Sequence, residues 1–359
     1  MTALGVMNLS AQQKQVLMSQ YQKKRVLITG GASFIGSHVA EIVAEFGGEV
    51  TIIDDFSSGS PKNLENLSID LIVGDLRNRE FAFDAIRDFE IIFHLAAIHG
   101  GRGFIENNKA MMLANLGIDN NVFSAASSSN TKMLVHASSA CAYPINLQES
   151  KLDLNYLEES QASMEGVDTS FADGVYGWTK LIGEYQLMNF TNESSMKGRS
   201  ARIFTAYGER ENESHAAIAL IAKALLKADP FPIWGDGQQT RNFTYVSDTA
   251  TGLVLLGADA RELTFDVFNI GTSDHVKVID FINEILNQLS WRPSAFDFQL
   301  DKPGGVASRA SDNSKIMRVF GWQPSVSIEE GVLRTLAWYE KLVDRPNSLF
   351  ELEQKLMSR

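Results

Sequence analysis

Residues 25–36 read RVLITGGASFIG, a short β-rich run that passes through a glycine turn into a predicted helix. Gly30 permits the tight turn, and Gly36 lets the helix pack closely on the strand. The free amides of the turn and the positive end of the helix dipole then face a pyrophosphate. Asp54 ends the next predicted strand, where its carboxylate can accept a hydrogen bond from a ribose 2′-hydroxyl and would repel a 2′-phosphate. A lone glycine turn also fits an ordinary loop, but this order of strand, turn, helix and acid predicts NAD rather than NADP.

Outward from this turn, apolar strand-like runs alternate with helical runs through the first half of the chain, which predicts an α/β fold with a doubly wound parallel sheet of the Rossmann type. Strands are predicted at residues 25–29, 50–54, 69–73, 91–94, 133–136 and 201–204. Helices are predicted at residues 34–46, 104–128 as one crossover helix, and 173–189.

The second half is less regular and predicts a smaller α/β lobe that binds substrate. We expect an N-terminal extension over 1–23, either a polar helix or a disordered arm, and a C-terminal tail over 344–359. The predicted domains are a dinucleotide-binding domain over 24–205, to which 243–274 returns, and a substrate lobe from 206–242 and 275–343.

Composition excludes several classes of protein. The net charge of −12 opposes general nucleic-acid binding. No apolar run is long enough to span a membrane, and residues 1–24 make a poor signal peptide. A single cysteine excludes an internal disulfide and fits a cytoplasmic location. The six histidines are scattered without ligand spacing, so no metal site is predicted.

Residues 176–180 read YGWTK, which places Tyr176 and Lys180 one helical turn apart on the same face. An ammonium beside a phenol is expected to lower the tyrosine pKa, so Tyr176 is a candidate base for a hydroxyl proton while hydride leaves the same carbon. Lys180 can also hold the nicotinamide ribose. Ser139, at the end of a predicted strand, can hydrogen-bond the same substrate oxygen. The alternative is an ordinary pair on a surface helix.

Cys141 is the only cysteine and lies two residues after Ser139 in HASSACAYP, residues 136–144. A thiol near a nicotinamide and a Tyr/Lys pair suggests a residue that moves a second proton. The alternative is a small buried hydrophobic residue, which is a common fate for cysteine.

Together these motifs resemble a known family. The runs TGGASFIG (29–36), HLAA (94–97), ASS (137–139), YGWTK (176–180) and WGDGQQTRNFTYVSD (234–248) resemble extended short-chain dehydrogenases/reductases that act on nucleotide sugars, over about residues 24–340. Within that family, GGRGF (100–104), ASSACAYP (137–144) and SDN (311–313) are most similar to GDP-mannose 3,5-epimerases.

The resemblance implies a tightly held NAD, transient oxidation at sugar carbon 4, and epimerisation at carbon 3, carbon 5 or both, with Cys141 as acid/base. It implies a GDP-hexose as the favoured substrate and a homodimer formed through the helices near 104–128 and 174–190. Arg241 and Arg309 are candidates for the nucleotide diphosphate, and Gly101 and Arg102 for the sugar. The predicted cofactor-binding residues are Gly30, Ser33, Phe34, Ile35, Gly36, Asp54, Asp75, Leu76, Leu95, Ala96, Ala97, Tyr176 and Lys180.

The chain departs from the family's pattern in the turn and in one loop. Ser33 replaces the usual middle glycine of the turn, and Thr205-Ala206 replaces an asparagine. The loop YGERENESH, residues 207–215, contains no lysine where the epimerases carry their second acid/base, and His215 is the best substitute. The sugar and the inverted centres therefore stay open.

Two other readings also stay open. A 4-epimerase or dehydratase would keep the first oxidation, although Ala140-Cys141 replaces the acidic pair usual in dehydratases. A non-catalytic NAD-binding redox sensor is the alternative of another class, and the presence of Ser139, Tyr176 and Lys180 argues against it.

Overall fold

A computed structural model describes residues 6, 8–151, 154–165, 171–302 and 304–357. Residues 1–5 and 7 of the predicted N-terminal extension, and residues 358–359 of the predicted C-terminal tail, lie outside the described residues.

The strands are, in chain order, β1 (Arg25–Thr29), β2 (Glu49–Asp54), β3 (Asp70–Val73), β4 (Ile91–His94), β5 (Met133–Ser139), β6 (Tyr156–Leu157), β7 (Lys197–Ile203), β8 (Ala206–Tyr207), β9 (Phe231–Trp234), β10 (Thr240–Arg241), β11 (Thr244–Tyr245), β12 (Phe265–Ile270), β13 (Val276–Lys277), β14 (Phe296–Gln299) and β15 (Ala310–Ser311).

The α-helices are α1 (Ala11–Tyr21), α2 (Phe34–Glu45), α3 (Arg79–Ile86), α4 (Arg102–Asn107), α5 (Lys109–Met112), α6 (Ala114–Ser127), α7 (Gly174–Asn192), α8 (Ala216–Leu225), α9 (Val246–Gly257), α10 (Val278–Gln288), α11 (Ser314–Phe320), α12 (Ile328–Tyr339) and α13 (Leu349–Met357).

Seven of these strands form one parallel sheet in the order β12-β7-β5-β4-β1-β2-β3. The chain winds outward from β1 in both directions, so the predicted doubly wound sheet is confirmed. Thr29 at the end of β1 lies between Ile53 and His94. The strand order reverses at β1, and the crevice beyond the carboxyl ends of such strands is where α/β folds bind ligands.

Alternate residues of the strands build the cores on the two faces of the sheet. Val26 and Ile28 pack with Val39 of α2 and Leu253 of α9. Leu27, which lies between them in sequence, packs on the opposite face with helices α3, α6 and α7. Because both faces are covered, the central strands are almost continuously apolar, as the sequence predicts. A separate core forms among residues of α8, α10, α12 and α13, beside the ends of the sheet.

The N-terminal extension is a docked helix over its described part. The Ser10 hydroxyl accepts a hydrogen bond from Gln13 N, and the Gln13 side chain accepts one from Ser10 N, which forms a capping box at the start of α1. Tyr21 is fully buried, and its hydroxyl donates to the Val254 carbonyl at 2.6 Å. Of the two predicted alternatives, the structure therefore shows the helix.

The predicted continuous crossover helix over 104–128 is wrong. The segment is divided into α4, α5 and α6, with a break at Asn108, whose backbone (φ −124°, ψ 39°) is not helical. The Asn108 side chain donates to the Phe104 carbonyl at 2.8 Å and so satisfies a group at the end of α4. This break lets α4 start at Arg102, beside the crevice. None of the helices in the described ranges is long and apolar enough to cross a membrane.

Candidate active site

The glycine turn after β1 has a geometry that only glycine tolerates at two positions. Gly30 has φ +68°, and a Cβ there would lie 2.8 Å from Ala96 N. A Cβ on Gly36 would lie 2.3 Å from the Gly30 carbonyl oxygen. The turn therefore brings the start of α2 against β1 and leaves open backbone where the predicted pyrophosphate would lie.

Asp54 holds this turn from the end of β2. One of its carboxylate oxygens accepts from Ala32 N at 2.9 Å and the other from Phe56 N at 2.8 Å. A carboxylate oxygen can accept more than one hydrogen bond, so these two contacts are compatible with the predicted ribose hydroxyl. Ser33 begins α2, and its hydroxyl donates back to the Gly30 carbonyl at 2.5 Å, so the extra side chain is folded onto the turn.

A cleft at this edge of the sheet gathers most of the predicted cofactor residues: Gly30, Ser33, Asp54, Asp75, Leu76, Leu95, Ala96 and Ala97. Arg77, which sequence reasoning did not single out, also lines the cleft and binds the Asp75 carboxylate through Nε at 2.9 Å. This hydrogen bond lowers the pKa of Asp75, because it favours the ionised form. The shape and the donors of this cleft fit a dinucleotide.

A second cleft adjoins the first through Ser33, Leu95 and Ala97 and is also lined by Phe34, Ile35 and Gly36. It brings together all five residues predicted as catalytic: Ser139, Cys141, Tyr176, Lys180 and His215. Arg309 and Glu211 also line this cleft.

Tyr176 and Lys180 lie together on α7, with the Lys180 ammonium 5.9 Å from the centre of the Tyr176 ring. Burial raises the pKa of Tyr176, and negative charge at Cys141 and Asp119 raises it further. Burial also lowers the pKa of Lys180, although Asp119 and Glu184 oppose this effect. The prediction that the pKa of Tyr176 is lowered is therefore wrong for the protein without its cofactor, in which Tyr176 stays a phenol.

Cys141 lies just after β5, is half-buried and lines the cleft. Its backbone N–H donates to the Ser139 hydroxyl at 3.1 Å, and its Sγ accepts from Arg309 Nη1 at 3.5 Å. The other nitrogens of Arg309 bind Gln148 at 2.6 Å and Asp173 at 2.9 Å. Because each nitrogen is engaged in the protein, this arrangement favours a role for Arg309 beside the sulfur over the predicted contact with a diphosphate.

Asp173, which sequence reasoning missed, joins these groups. Its carboxylate also binds Arg102 Nη1 at 2.8 Å, and its backbone N–H donates to the Cys141 carbonyl at 2.8 Å. Burial would raise the pKa of Asp173, but Arg309 and Arg102 outweigh it and the pKa is lowered. The one available signal was its position directly before the helix that carries Tyr176.

Arg241 and Gly101 are not among the residues that line either cleft. Arg241 donates to the Thr240 carbonyl at 2.7 Å and the Gly304 carbonyl at 2.9 Å. Burial, with the nearby charge of Arg309, lowers the pKa of Arg241 to about 9. A Cβ on Gly101 would lie 1.7 Å from the Ser214 carbonyl oxygen, so Gly101 allows close packing of the loop before His215, and its contact with the sugar stays a prediction.

His215 ends that loop and immediately precedes α8. Its Nδ1 lies 3.6 Å from Glu211 Oε1, and its ring centre lies 5.7 Å from that of His99. Burial lowers the pKa of His215 to about 4 and raises the pKa of Glu211 well above its usual value. Arg210, in the same loop, pairs with Glu41.

Comparison with known proteins agrees with this geometry. A family model described as "NAD dependent epimerase/dehydratase family" matches residues 26–271. GDP-mannose 3,5-epimerase 1 of Oryza sativa subsp. indica is 30% identical over 332 residues, which cover 90% of this chain and 84% of that protein.

Two solved structures show the same architecture across nearly the whole chain. Epimerase Mth375 of Methanothermobacter thermautotrophicus has a TM-score of 0.78 at 26% identity and covers 92% of this chain and 96% of that one. UDP-glucuronic acid 4-epimerase of Bacillus cereus, solved with UDP-glucuronic acid and NAD, has a TM-score of 0.78 at 25% identity and covers 88% of this chain and 99% of that one.

The family model spans the glycine turn, the Ser139–Cys141 turn, the Tyr176/Lys180 helix and the loop before His215. The chain therefore belongs to the NAD dependent epimerase/dehydratase family, with NAD as its cofactor.

Proposed function

We propose that the protein is a nucleotide-sugar epimerase that oxidises its substrate transiently at carbon 4 and inverts a neighbouring carbon by proton transfer through Cys141. The observation that carries this proposal is the position of the sulfur. Cys141 lines the same cleft as Ser139, Tyr176 and Lys180, and an arginine donates to its Sγ at 3.5 Å. A cysteine that served only as packing would be surrounded by apolar groups.

When bound, NAD supplies the hydride acceptor for carbon 4 and a positively charged nicotinamide ring. Tyr176 would take the proton from the carbon 4 hydroxyl, and the positive ring offsets the burial that keeps the residue a phenol. Ser139 would donate a hydrogen bond to the same oxygen, and Lys180 would hold the nicotinamide ribose.

A ketone at carbon 4 acidifies the hydrogens on carbons 3 and 5, because the resulting carbanion is an enolate. Ser139 and Tyr176 would stabilise the enolate oxygen by hydrogen bonds. Cys141 would take the proton from one face of the sugar, and Arg309 would balance negative charge on the sulfur. An acid on the opposite face, for which His215 is the candidate, would return a proton. Return of the hydride then leaves no net redox change.

The relative at 30% identity acts on a GDP-sugar, and the solved 4-epimerase binds a UDP-sugar. We propose a GDP-hexose as substrate, because the Cys141 motif of the chain resembles the 3,5-epimerases. A homodimer through α6 and α7 is also a proposal, which light scattering of the purified protein would test.

Solvent-deuterium exchange tests the function. The protein is incubated with GDP- and UDP-hexoses in heavy water, and label at carbons 3, 4 and 5 is measured by mass spectrometry and NMR. We expect label at carbon 3 or 5 without net nicotinamide reduction, and we expect Cys141→Ser to abolish it while NAD stays bound.

Inversion at carbon 4 without any label would make the protein a 4-epimerase, and loss of water from the product would make it a dehydratase. Undiminished exchange in Cys141→Ser would remove the thiol from the mechanism. Absence of turnover with every sugar, together with thiol oxidation that follows NAD binding, would support a redox sensor.

A further inference from the structure

Glu211 is a carboxyl group that the mechanism above does not use. Its side chain is 2% exposed and lines the catalytic cleft. Its Oε2 is buried and has no hydrogen-bond partner among the described residues. A buried polar atom without a partner lowers stability, so its presence in a cleft points to a role there.

His215 is a titratable group that lies close to Glu211. His215 Nδ1 lies 3.6 Å from Glu211 Oε1, a gap that a small side-chain rotation closes to a hydrogen bond. The histidine is the outer member of the pair, at 30% exposed, and the carboxyl is the inner member. A substrate in the cleft would therefore meet the imidazole first.

The loop that carries the pair is constrained by hydrogen bonds within it and by close packing against Gly101. Asn212 Oδ1 accepts from Ser214 N at 3.0 Å, and His215 N donates to the Asn212 carbonyl at 3.3 Å. Gly101 packs against the Ser214 carbonyl so closely that no side chain fits between them. Such constraints keep a proton-transfer pair in a fixed geometry.

The charge states of the two residues complement each other. Burial raises the pKa of Glu211 well above its usual value and lowers that of His215 to about 4, which favours a protonated carboxyl beside an uncharged imidazole. The pair then holds one proton that can move from the acid to the imidazole without creating net charge in the cleft.

We propose that Glu211 and His215 form the second acid/base of the enzyme. His215 is the catalytic residue that exchanges a proton with the sugar carbon, and Glu211 is the positioning residue that exchanges the balancing proton with His215 Nδ1. The inference rests on the proposed function, since it needs an enolate to protonate.

The step balances without any change of oxidation state. As the carbon–hydrogen bond forms, the Nε2–H bond of His215 breaks, and the carboxyl proton of Glu211 moves to Nδ1. The imidazole stays neutral and Glu211 is left as a carboxylate. Cys141 has gained the proton taken from the other face. Both groups regain their starting states by exchange with water when product leaves.

The test compares inversion with deuterium exchange. Glu211→Gln keeps the shape of the side chain but cannot give up a proton. Cys141 can still remove and return protons on its own face, so we expect wash-in of deuterium within about twofold of the wild type. We expect inversion to fall at least about tenfold, since general acid catalysis contributes about 10²–10⁴. His215→Gln should show the same rise in the ratio of exchange to inversion.

Glu213→Gln is the matched control. Glu213 lies in the same loop and is buried, but it binds the Tyr339 hydroxyl at 2.9 Å and does not line the cleft. It should keep the wild-type ratio. Equal loss of exchange and inversion in Glu211→Gln would mean a structural role and overturn the proposal, as would an unchanged ratio. If the wild type itself shows no exchange at carbon 3 or 5, the proposed function fails and the pair proposal falls with it.

Discussion

Asp173 and Glu211 are two buried carboxyls of the candidate active site whose pKa values are shifted in opposite directions. Both residues are 4% exposed. The pKa of Asp173 is lowered because Arg309 and Arg102 bind it, whereas the pKa of Glu211 is raised because burial acts without a cationic partner. At equal burial, the ionised form is thus favoured for the carboxyl near Cys141 and the protonated form for the carboxyl near His215. The charge of a buried carboxyl follows from its partners and not from its depth.

We call the group of Cys141, Asp173, Arg309 and Arg102 the charged wall, and the pair Glu211–His215 the neutral wall. A base that takes a proton from carbon gains from nearby positive charge. An acid that returns a proton must first hold one. The two walls are suited to these two halves of an inversion.

Tyr176→Phe is expected to have the largest effect, because both walls depend on the ketone that Tyr176 helps to form. Loss of the phenol should slow hydride transfer, exchange and inversion together by about 10²–10⁴. The measurements are nicotinamide reduction in a single turnover and deuterium wash-in. Tyr185→Phe on the same helix, with a 40% exposed side chain, is the control. Wild-type exchange in Tyr176→Phe would show that the walls work without carbon 4 oxidation.

Arg309→Gln removes the arginine of the charged wall that donates to the Cys141 sulfur. A hydrogen bond to a charged group contributes about 1.5–3 kcal/mol, so exchange at carbon should fall roughly tenfold to a hundredfold. Hydride transfer should change less, because Tyr176 and Lys180 remain. Arg261→Gln, which loses ion pairs with Asp259 and Asp266 instead, is the control. If exchange in Arg309→Gln stays at the wild-type rate, the charged wall plays no part in proton abstraction.

Gly101→Ala displaces the neutral wall while leaving the charged wall's own atoms unchanged. The new Cβ would clash with the Ser214 carbonyl 1.7 Å away, so the loop must shift at a cost of about 1–3 kcal/mol. We expect inversion to fall more than exchange, with a lower Tm. Gly117→Ala on α6, where a Cβ meets nothing within 4 Å, should leave both rates unchanged. A larger fall of exchange than of inversion would contradict the assignment of the two walls.

The pH dependence of stability is the smallest effect and compares the two carboxyls directly. The unfolded chain loses the Glu211 proton above about pH 4.5, whereas the fold keeps it to a higher pH. In that window the unfolded state binds fewer protons, so this group lowers the free energy of unfolding by about 1.4 kcal/mol per pH unit. The Tm of Glu211→Gln should therefore rise relative to the wild type as pH increases above 4.5.

Asp173→Asn should show the opposite dependence of Tm on pH. The folded pKa of Asp173 lies below its usual 3.8, so its ionisation stabilises the fold above that pH, and this contribution is lost as pH falls through the folded value. The wild type should exceed Asp173→Asn in Tm at neutral pH, and the gap should narrow below 3.8. Titration of His215 contributes to the pH dependence of Tm in the wild type and in both variants. Parallel Tm curves for Glu211→Gln and the wild type would refute the raised pKa of Glu211.

Much of the architecture could be read from local pattern. Gly30 indicates a turn with positive φ, and Asp54 indicates the end of a strand. Both features depend on residues close in sequence, so the sequence pattern predicts them. The crossover helix was predicted as one piece because its pattern is helical throughout. The break at Asn108 depends on a side chain that bonds the Phe104 carbonyl, which periodicity does not reveal.

In the candidate site, sequence alone determined which residues are chemically able to act: the lone thiol of Cys141, the Tyr176/Lys180 pair and the acidic loop before His215. Only the tertiary structure decided which of them are charged. Arg309 reaches Asp173 across 136 positions of chain, while Glu211 receives no cation at all among the described residues. A pKa depends on burial and on partners that folding brings from distant segments, so the proton states of this cleft exist only in the folded molecule.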